Sequence, residues 1–197
     1  GRTLVEESWR QFRRELVDLL LQPDALQPMW EIALQQQFVI QATSQVGPIL
    51  LLAYRAGFDS VLANDVELTD VHQQLAMADA GYTISQLRGG IAHLARDSVQ
   101  SVLGIPNDER TKASYESRLD ALTHRLPMNI ATGLMRSYNF GRARSYAVQG
   151  HPEIFVPGCC DQPGYVVDIR AGIVYESLPP INSHPNCVCR PELPPAT

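Results

Sequence analysis

The sequence predicts a mainly α-helical protein: a multi-helix N-terminal body followed by a small C-terminal β-hairpin module that is stapled by Cys and His, through zinc or through disulfides. Up to residue 150, apolar side chains recur at three- and four-residue steps, as they do in amphipathic helices. Beyond Gly150, proline, glycine and cysteine become frequent and short β-branched runs replace the helical pattern. All four cysteines lie in this last part, between residues 159 and 189.

The composition is that of a folded chain. Hydrophobic residues make up 45% of the 197 residues and charged residues 19%, which argues against disorder and allows a sizeable core. A net charge of −5 argues against a surface built mainly to bind phosphate. The longest uncharged run, from Ile32 to Tyr54, contains five Gln and a Gly47-Pro48 break, so no membrane-spanning segment is expected.

Seven helices are predicted from the apolar stripes and from the residues that start or stop a helix. Pro23 stops the first, Pro48 both ends the second and opens the third, and Gly81 and Gly150 are C-terminal stop signals. The predicted helices run from Val5 to Leu20, Pro28 to Gly47, Pro48 to Ala63, Thr69 to Gly81, Thr83 to Gly104, Asn107 or Asp108 to Leu126, and Met128 to Gln149.

The last predicted helix has two different faces. One carries residues at helical spacing that suit a core: Ile130, Leu134, Tyr138 and Gly141. The glycine would let another helix approach closely. The other face carries three arginines: Arg136, Arg142 and Arg144. These side chains are able to meet DNA phosphates, although a solvated helix face or cations near a helix C-terminus explain them more simply.

Two short strands are predicted after the helices, at Tyr165 to Ile169 and at Ile173 to Tyr175, around a turn at Gly172. An isolated hairpin is marginally stable in water, so a staple between its flanks has a physical purpose. The predicted organisation is a helical body at 1–127, a long helix with the stapled module at 128–190, and a proline-rich tail at 191–197.

Five side chains are the candidate metal ligands of this module: Cys159, Cys160, His184, Cys187 and Cys189. Thiolates and imidazole are the donors of structural zinc, which takes four of them tetrahedrally. We expect zinc to be held by His184, Cys187 and Cys189 with one of the two adjacent cysteines, because vicinal side chains seldom point the same way. Pro185 and Asn186 suit the tight turn that the closely spaced ligands require.

Disulfides are the alternative staple. Adjacent α-carbons are about 3.8 Å apart, below the roughly 4.4 Å minimum of ordinary disulfides, so Cys159 is not expected to pair with Cys160. Of the three pairings of four cysteines, the two that join this corner to Cys187 and Cys189 remain open. Reducing conditions would favour zinc.

No enzyme motif is evident. His151-Pro152-Glu153 lacks the downstream P-C-x-x-C element of the zinc deaminases, and His184 with Cys187 has no third orienting group. No phosphate-binding or dinucleotide-binding glycine motif is present. The chain is therefore interpreted as non-catalytic. The alternative is a zinc-dependent enzyme or toxin domain that uses the Cys/His cluster, which would need an open coordination position for water.

Residues 128–190 resemble the C-terminal module of the Mu-F-like minor head proteins of tailed bacteriophages. The resemblance rests on the stretch from Met135 to Arg142, the cysteine corner, the hairpin, Leu178-Pro179-Pro180, and the closing His184-Pro185-Asn186-Cys187-Val188-Cys189. The family typically has C-x-x-C at the corner, where this chain has adjacent cysteines without a spacer.

The resemblance implies a zinc-binding minor capsid protein of a virion, located in the capsid interior or neck and in the host cytoplasm during assembly. Its implied roles are phage head morphogenesis, DNA packaging and DNA ejection. The implied partners are the portal and other head proteins, with packaged DNA and further copies of the chain left open.

Overall fold

The structure is a computed structural model that describes residues 2–22, 28–63, 66, 69–157, 163–170 and 190–194. The described residues form five α-helices, a 3-10 turn at Asn107–Glu109 and two strands, which confirms the predicted mainly helical class with a small antiparallel sheet. The helices are α1 (Arg2–Leu20), α2 (Pro28–Asp59), α3 (Asp70–Leu103), α4 (Lys112–Asp120) and α5 (Arg125–Val148). The strands are β1 (Glu153–Val156) and β2 (Tyr165–Asp168).

The predicted breaks at Pro48 and Gly81 are wrong, because α2 continues through the proline and α3 through the glycine. In α2 a buried face runs past Pro48 at four-residue steps: Ala42, Val46, Leu50 and Tyr54. In α3 a second buried face runs past Gly81: Ala80, Thr83, Leu87 and Ile91. Burial along these faces outweighs the loss of one backbone hydrogen bond at proline and the roughly 1 kcal/mol of lost helix propensity at glycine.

The helix predicted to start at Asn107 or Asp108 begins later. Residues 107–109 form the 3-10 turn, and Thr111 caps α4. The Thr111 hydroxyl accepts a hydrogen bond from the Ser114 amide at 3.2 Å, and the Ser114 hydroxyl accepts one from the Thr111 amide at 2.9 Å. This reciprocal pair is a capping box that uses serine at its third helical position.

Both ends of the last helix are close to the prediction. Helix α5 begins at Arg125, so Pro127 lies within its first turn, where its missing N–H removes no helical hydrogen bond. Gly150 has φ of 77°, in the left-handed region that favours glycine, and the chain turns there towards β1.

The described chain divides into two compact units. Unit 1 comprises 1–48 and 86–130, and unit 2 comprises 49–85 and 131–197. Unit 1 contains an aromatic cluster in which the ring centroids of Trp9 and Phe12 lie 5.7 Å apart and those of Phe12 and Phe38 lie 4.7 Å apart. The Trp9 indole donates a hydrogen bond to the Thr123 hydroxyl at 3.1 Å, which satisfies its buried polar atom.

Unit 2 has its own hydrophobic core, in which α2 and α5 approach closely. A Cβ atom added to Gly141 would lie within 3.0 Å of backbone atoms of Tyr54 and Phe58, and one added to Gly57 would lie within 3.0 Å of the Tyr138 backbone. The close approach expected for Gly141 is therefore confirmed. The core is completed by aromatic and β-strand residues: Phe140, Tyr146, Ile154, Val156, Val167 and Ile169.

The sheet differs from the predicted hairpin. Strand β2 pairs antiparallel with β1, with Ile154 opposite Val167 and Val156 opposite Tyr165. Strand β1 was not among the predicted elements. The strand predicted at 173–175 lies outside the described residues. The boundary predicted at residue 127 and the tail at 191–197 remain predictions.

Among the described helices, none combines the length and the apolar character needed to cross a membrane.

Candidate functional site

The five predicted zinc ligands all lie outside the described residues: Cys159, Cys160, His184, Cys187 and Cys189. Within the part of the chain that the structure describes, no cluster of His, Cys, Asp or Glu is arranged to hold a metal ion. The described residues on either side of the two cysteine segments are nevertheless informative, because they fix where the chain enters and leaves the module.

A backbone pair joins the two flanks of the module. The Phe155 amide donates to the Glu192 carbonyl at 2.8 Å, and the Glu192 amide donates to the Phe155 carbonyl at 2.9 Å. Phe155 and Glu192 thus form an antiparallel bridge on the edge of β1 opposite β2. The chain just before the first cysteine corner and the chain just after the last cysteine lie side by side in unit 2.

Arg142 of α5 holds the same flank. Its Nε donates to the Pro191 carbonyl at 3.1 Å and one terminal nitrogen donates to the Ser60 hydroxyl at 3.2 Å. The Arg190 guanidinium lies 5.7 Å from the centroid of the Tyr138 ring, a cation–π distance. Hydrogen bonding with Ser60, with smaller effects from Arg142 and Arg190, lowers the pKa of Tyr138 despite partial burial.

A second polar group lies in the interior of unit 2. The Arg144 guanidinium makes a bidentate ion pair with Asp79, at 2.7 Å from Nε to Oδ2 and 2.8 Å from Nη2 to Oδ1. The Asp79 side chain has no solvent exposure and that of Arg144 only 6%. The Tyr54 hydroxyl donates to the same carboxylate at 2.8 Å.

This group is a closed network and not a reactive one. The Asp79 carboxylate accepts from both partners, so its charge is balanced inside the protein by the guanidinium. Burial, with a further effect of the Asp79 charge, raises the pKa of Tyr54 well above its ordinary value and keeps the hydroxyl protonated. A buried pair of this kind favours one arrangement of α3 and α5 in unit 2, because either partner alone would be a buried charge.

A cavity of about 430 Å³ lies beside this network in unit 2. Tyr54, Phe58 and Ala76 form its apolar part, and Arg55, Asp59, His72 and Gln73 line the rest. The Nδ1 atom of His72 accepts a hydrogen bond from the Thr69 amide at 3.2 Å, at the start of α3. This hydrogen bond makes His72 part of the start of α3.

Two arginines of α5 have structural roles that the sequence did not indicate. Arg144 is buried against Asp79, and Arg142 holds Pro191 and Ser60, so neither belongs to a solvated helix face. The phosphate role considered for Arg144 is therefore wrong, and the role considered for Arg136 and Arg142 remains a prediction. One signal was available for the ion pair: Asp79 falls beside Ala80 and Thr83 on the apolar stripe of α3, where a carboxylate needs a partner.

Comparison with models of known protein families, with curated protein sequences and with solved structures finds no match.

Proposed function

We propose that this protein is a non-catalytic minor head component of a tailed phage, whose C-terminal module is closed by zinc on Cys and His side chains. The head role derives from the resemblance of residues 128–190 to the Mu-F-like minor head proteins. The module derives from the donor set, because four thiols and an imidazole within 31 residues are the ligands that structural zinc prefers.

The structural observation that supports a closed C-terminal module is the pair of backbone hydrogen bonds between Phe155 and Glu192. Because the two segments are antiparallel, the chain that follows Phe155 and the chain that precedes Glu192 extend from the bridge in the same direction. Cys159 is four residues beyond Phe155, within about 14 Å of it along an extended chain, and Cys189 is three residues before Glu192, within about 11 Å. The hydrogen bond from Arg142 to the Pro191 carbonyl holds the segment at 190–192 in this direction.

The zinc would supply folding free energy to this small module. A two-stranded sheet with one further bridged pair is marginal by itself. A structural zinc site contributes about 10 kcal/mol or more when its ligands fold around it. His184, Cys187 and Cys189, with Cys159 or Cys160, would hold the ion as the sequence predicts. In this proposal the helices would contact the portal and other head proteins, and the module would be a closed structural element.

The first experiment measures zinc by elemental mass spectrometry on untagged protein purified under reducing conditions, together with the rate at which thiols react. We expect one zinc per chain and thiols that react only after chelation or denaturation. His184→Ala and Cys187→Ser should lower the zinc content and the melting temperature. His93→Ala is the matched control, because that imidazole is exposed on α3 and pairs with Asp97 across one helical turn.

Two outcomes would refute the zinc module. One outcome is four freely reactive thiols and no metal, which would show that the module has no staple. The other is two disulfides, which would show that the module is closed by covalent bonds and not by zinc. A zinc-bound water that exchanges with added anions would instead favour the enzyme alternative, because a closed structural site has no open position.

The head role is tested separately in particles. Gradient-purified, nuclease-treated virions produced from the genome that encodes this chain should contain its peptides by mass spectrometry, at far fewer copies than the major capsid protein. A cytoplasmic host enzyme serves as the contamination control. Absence of the chain from particles that contain their full set of capsid proteins would refute the head role.

A further inference from the structure

A basic concavity of about 160 Å³ lies between α1 and α4 in unit 1. Four cations and two carboxylates line it together with Val17: Arg10, Arg13, Arg14, Lys112, Asp18 and Glu116. The described residues that line it all belong to unit 1, and the buried ion pair belongs to unit 2. The concavity is therefore a separate site that the function proposed above does not use.

Arg13 is the fixed part of the concavity. Its terminal nitrogens donate to the Thr123 hydroxyl at 3.2 Å, to the Glu116 carbonyl at 3.4 Å and to the Asp120 carboxylate. Its Nε atom is buried and has no hydrogen-bond partner among the described residues. A buried Nε cannot meet a ligand, so Arg13 contributes its fixed position beside the concavity, and the exposed cations of the lining make the contacts.

The other three cations are available to a ligand. Arg14 forms no hydrogen bond or ion pair within the described part of the chain. Arg10 lies 3.9 Å from the Glu6 carboxylate on α1, and Lys112 lies 4.0 Å from the Glu116 carboxylate on α4. Each pair is exposed and joins two residues of the same helix, one turn apart. Such pairs contribute little and are easily replaced by another anion. Lys112 is also the first residue of α4, where the helix dipole favours negative charge.

The side chains that line the concavity indicate which chemical group it can bind. The concavity is smaller than the roughly 300–1,000 Å³ pockets that take drug-sized ligands, and none of its lining side chains is aromatic, so it has no face on which a nucleobase would stack. Guanidinium groups match phosphate oxygens with paired donors. A phosphate group, and not the rest of a nucleotide, fits this set of side chains.

Exposed cations hold a single phosphate weakly, because solvent and salt screen the interaction. A polymer with one phosphate per nucleotide gains affinity at each contact by releasing counterions. We propose that the concavity between α1 and α4 binds the phosphodiester backbone of a nucleic acid without reading its sequence. Arg10 and Arg14, one helical turn apart on α1, contact the backbone together with Lys112 of α4.

The test measures binding of a labelled mixed-sequence DNA duplex by fluorescence anisotropy at several salt concentrations between about 50 and 200 mM. The Arg10→Gln/Arg14→Gln double variant removes two phosphate contacts, so the slope of log K against log salt should become shallower by about 2. At about 0.1 M salt the affinity should fall at least tenfold. The matched control is Arg88→Gln/Arg96→Gln, which removes two exposed arginines of α3 outside the concavity.

Each outcome decides the proposal. Equal losses in the two double variants, or wild-type protein that does not bind DNA at about 50 mM salt, would overturn it. Displacement of DNA by inorganic phosphate far beyond that by chloride at matched ionic strength would assign the concavity to free phosphate and overturn the choice of a polymer. Both variants change exposed helical positions to a good helix former, so circular dichroism should show unchanged folding. The result is independent of zinc content and of presence in virions.

Discussion

The crossing of α2 and α5 in unit 2 gives the most direct test of the fold. We expect Gly141→Ala to destabilise the protein, because the new methyl group would lie within 3.0 Å of backbone atoms of Tyr54 and Phe58. Those atoms belong to a helix and cannot rotate away as a side-chain end would. The two helices would have to separate by roughly an ångström along a packed face.

The magnitude follows from two opposing terms. Overpacking of a closely packed interior costs typically 1–3 kcal/mol, and the contact with backbone atoms places this substitution at about 3 kcal/mol. Alanine recovers up to about 1 kcal/mol of helix propensity. The net loss is about 2 kcal/mol, which lowers the melting temperature by about 4–8 °C for a chain of this size.

Gly81→Ala is the matched control, because Gly81 also lies inside a helix of unit 2 and an added Cβ atom would meet nothing within 4 Å. At this position alanine gains helix propensity without any overpacking, so the free energy of unfolding should rise by about 0.5–1 kcal/mol. Urea unfolding followed by circular dichroism at the helical band gives both values. If Gly141→Ala were as stable as the wild type, or if both alanines had the same effect, the close crossing of α2 and α5 would be refuted.

The buried polar group of unit 2 gives two further predictions. Arg144→Met leaves the Asp79 carboxylate buried without its cation and should lower the free energy of unfolding, measured in urea, by about 3–5 kcal/mol. The control is Arg55→Met, at a side chain that is 81% exposed, which should change it by less than about 0.5 kcal/mol. Similar small losses in both variants would show that the buried Asp79 carboxylate does not need Arg144 as its counter-ion. Because the pKa of Tyr54 is raised on folding, its contribution is fully present below the unfolded value of about 10 and decreases as the pH rises above it. Tyr54→Phe should therefore lose stability less steeply than the wild type above about pH 10, and parallel curves would contradict this assignment.

The helical class was predictable because burial follows the helical period. Val5, Trp9, Phe12 and Leu16 are all buried in α1, as their spacing indicates. The helix ends were less predictable, since Pro48 and Gly81 are local signals whose weight depends on the packing around them. Strand β1 was missed although Ile154 and Val156 alternate with less buried neighbours, because a four-residue alternation is too short to stand out.

The polar contacts of unit 2 join residues far apart in the sequence. Asp79 and Arg144 are 65 positions apart, and no spacing rule connects them. The bridge between Phe155 and Glu192 likewise depends on a return of the chain that the predicted hairpin at 165–175 did not include. Sequence patterns indicate which side chains need a partner, and the packing of the helices decides which partner they find.

The close crossing at Gly57 and Gly141 also has a consequence for recognising relatives of this protein. Both positions exclude every side chain larger than hydrogen unless the helix axes move apart, so substitution at either one should be rare in any chain that keeps this crossing. Two glycines 84 positions apart, with an acidic residue 22 positions after the first and a basic residue three positions after the second, form a pattern that does not depend on overall identity. Such a pattern would detect distant homologues whose surfaces have diverged beyond ordinary alignment.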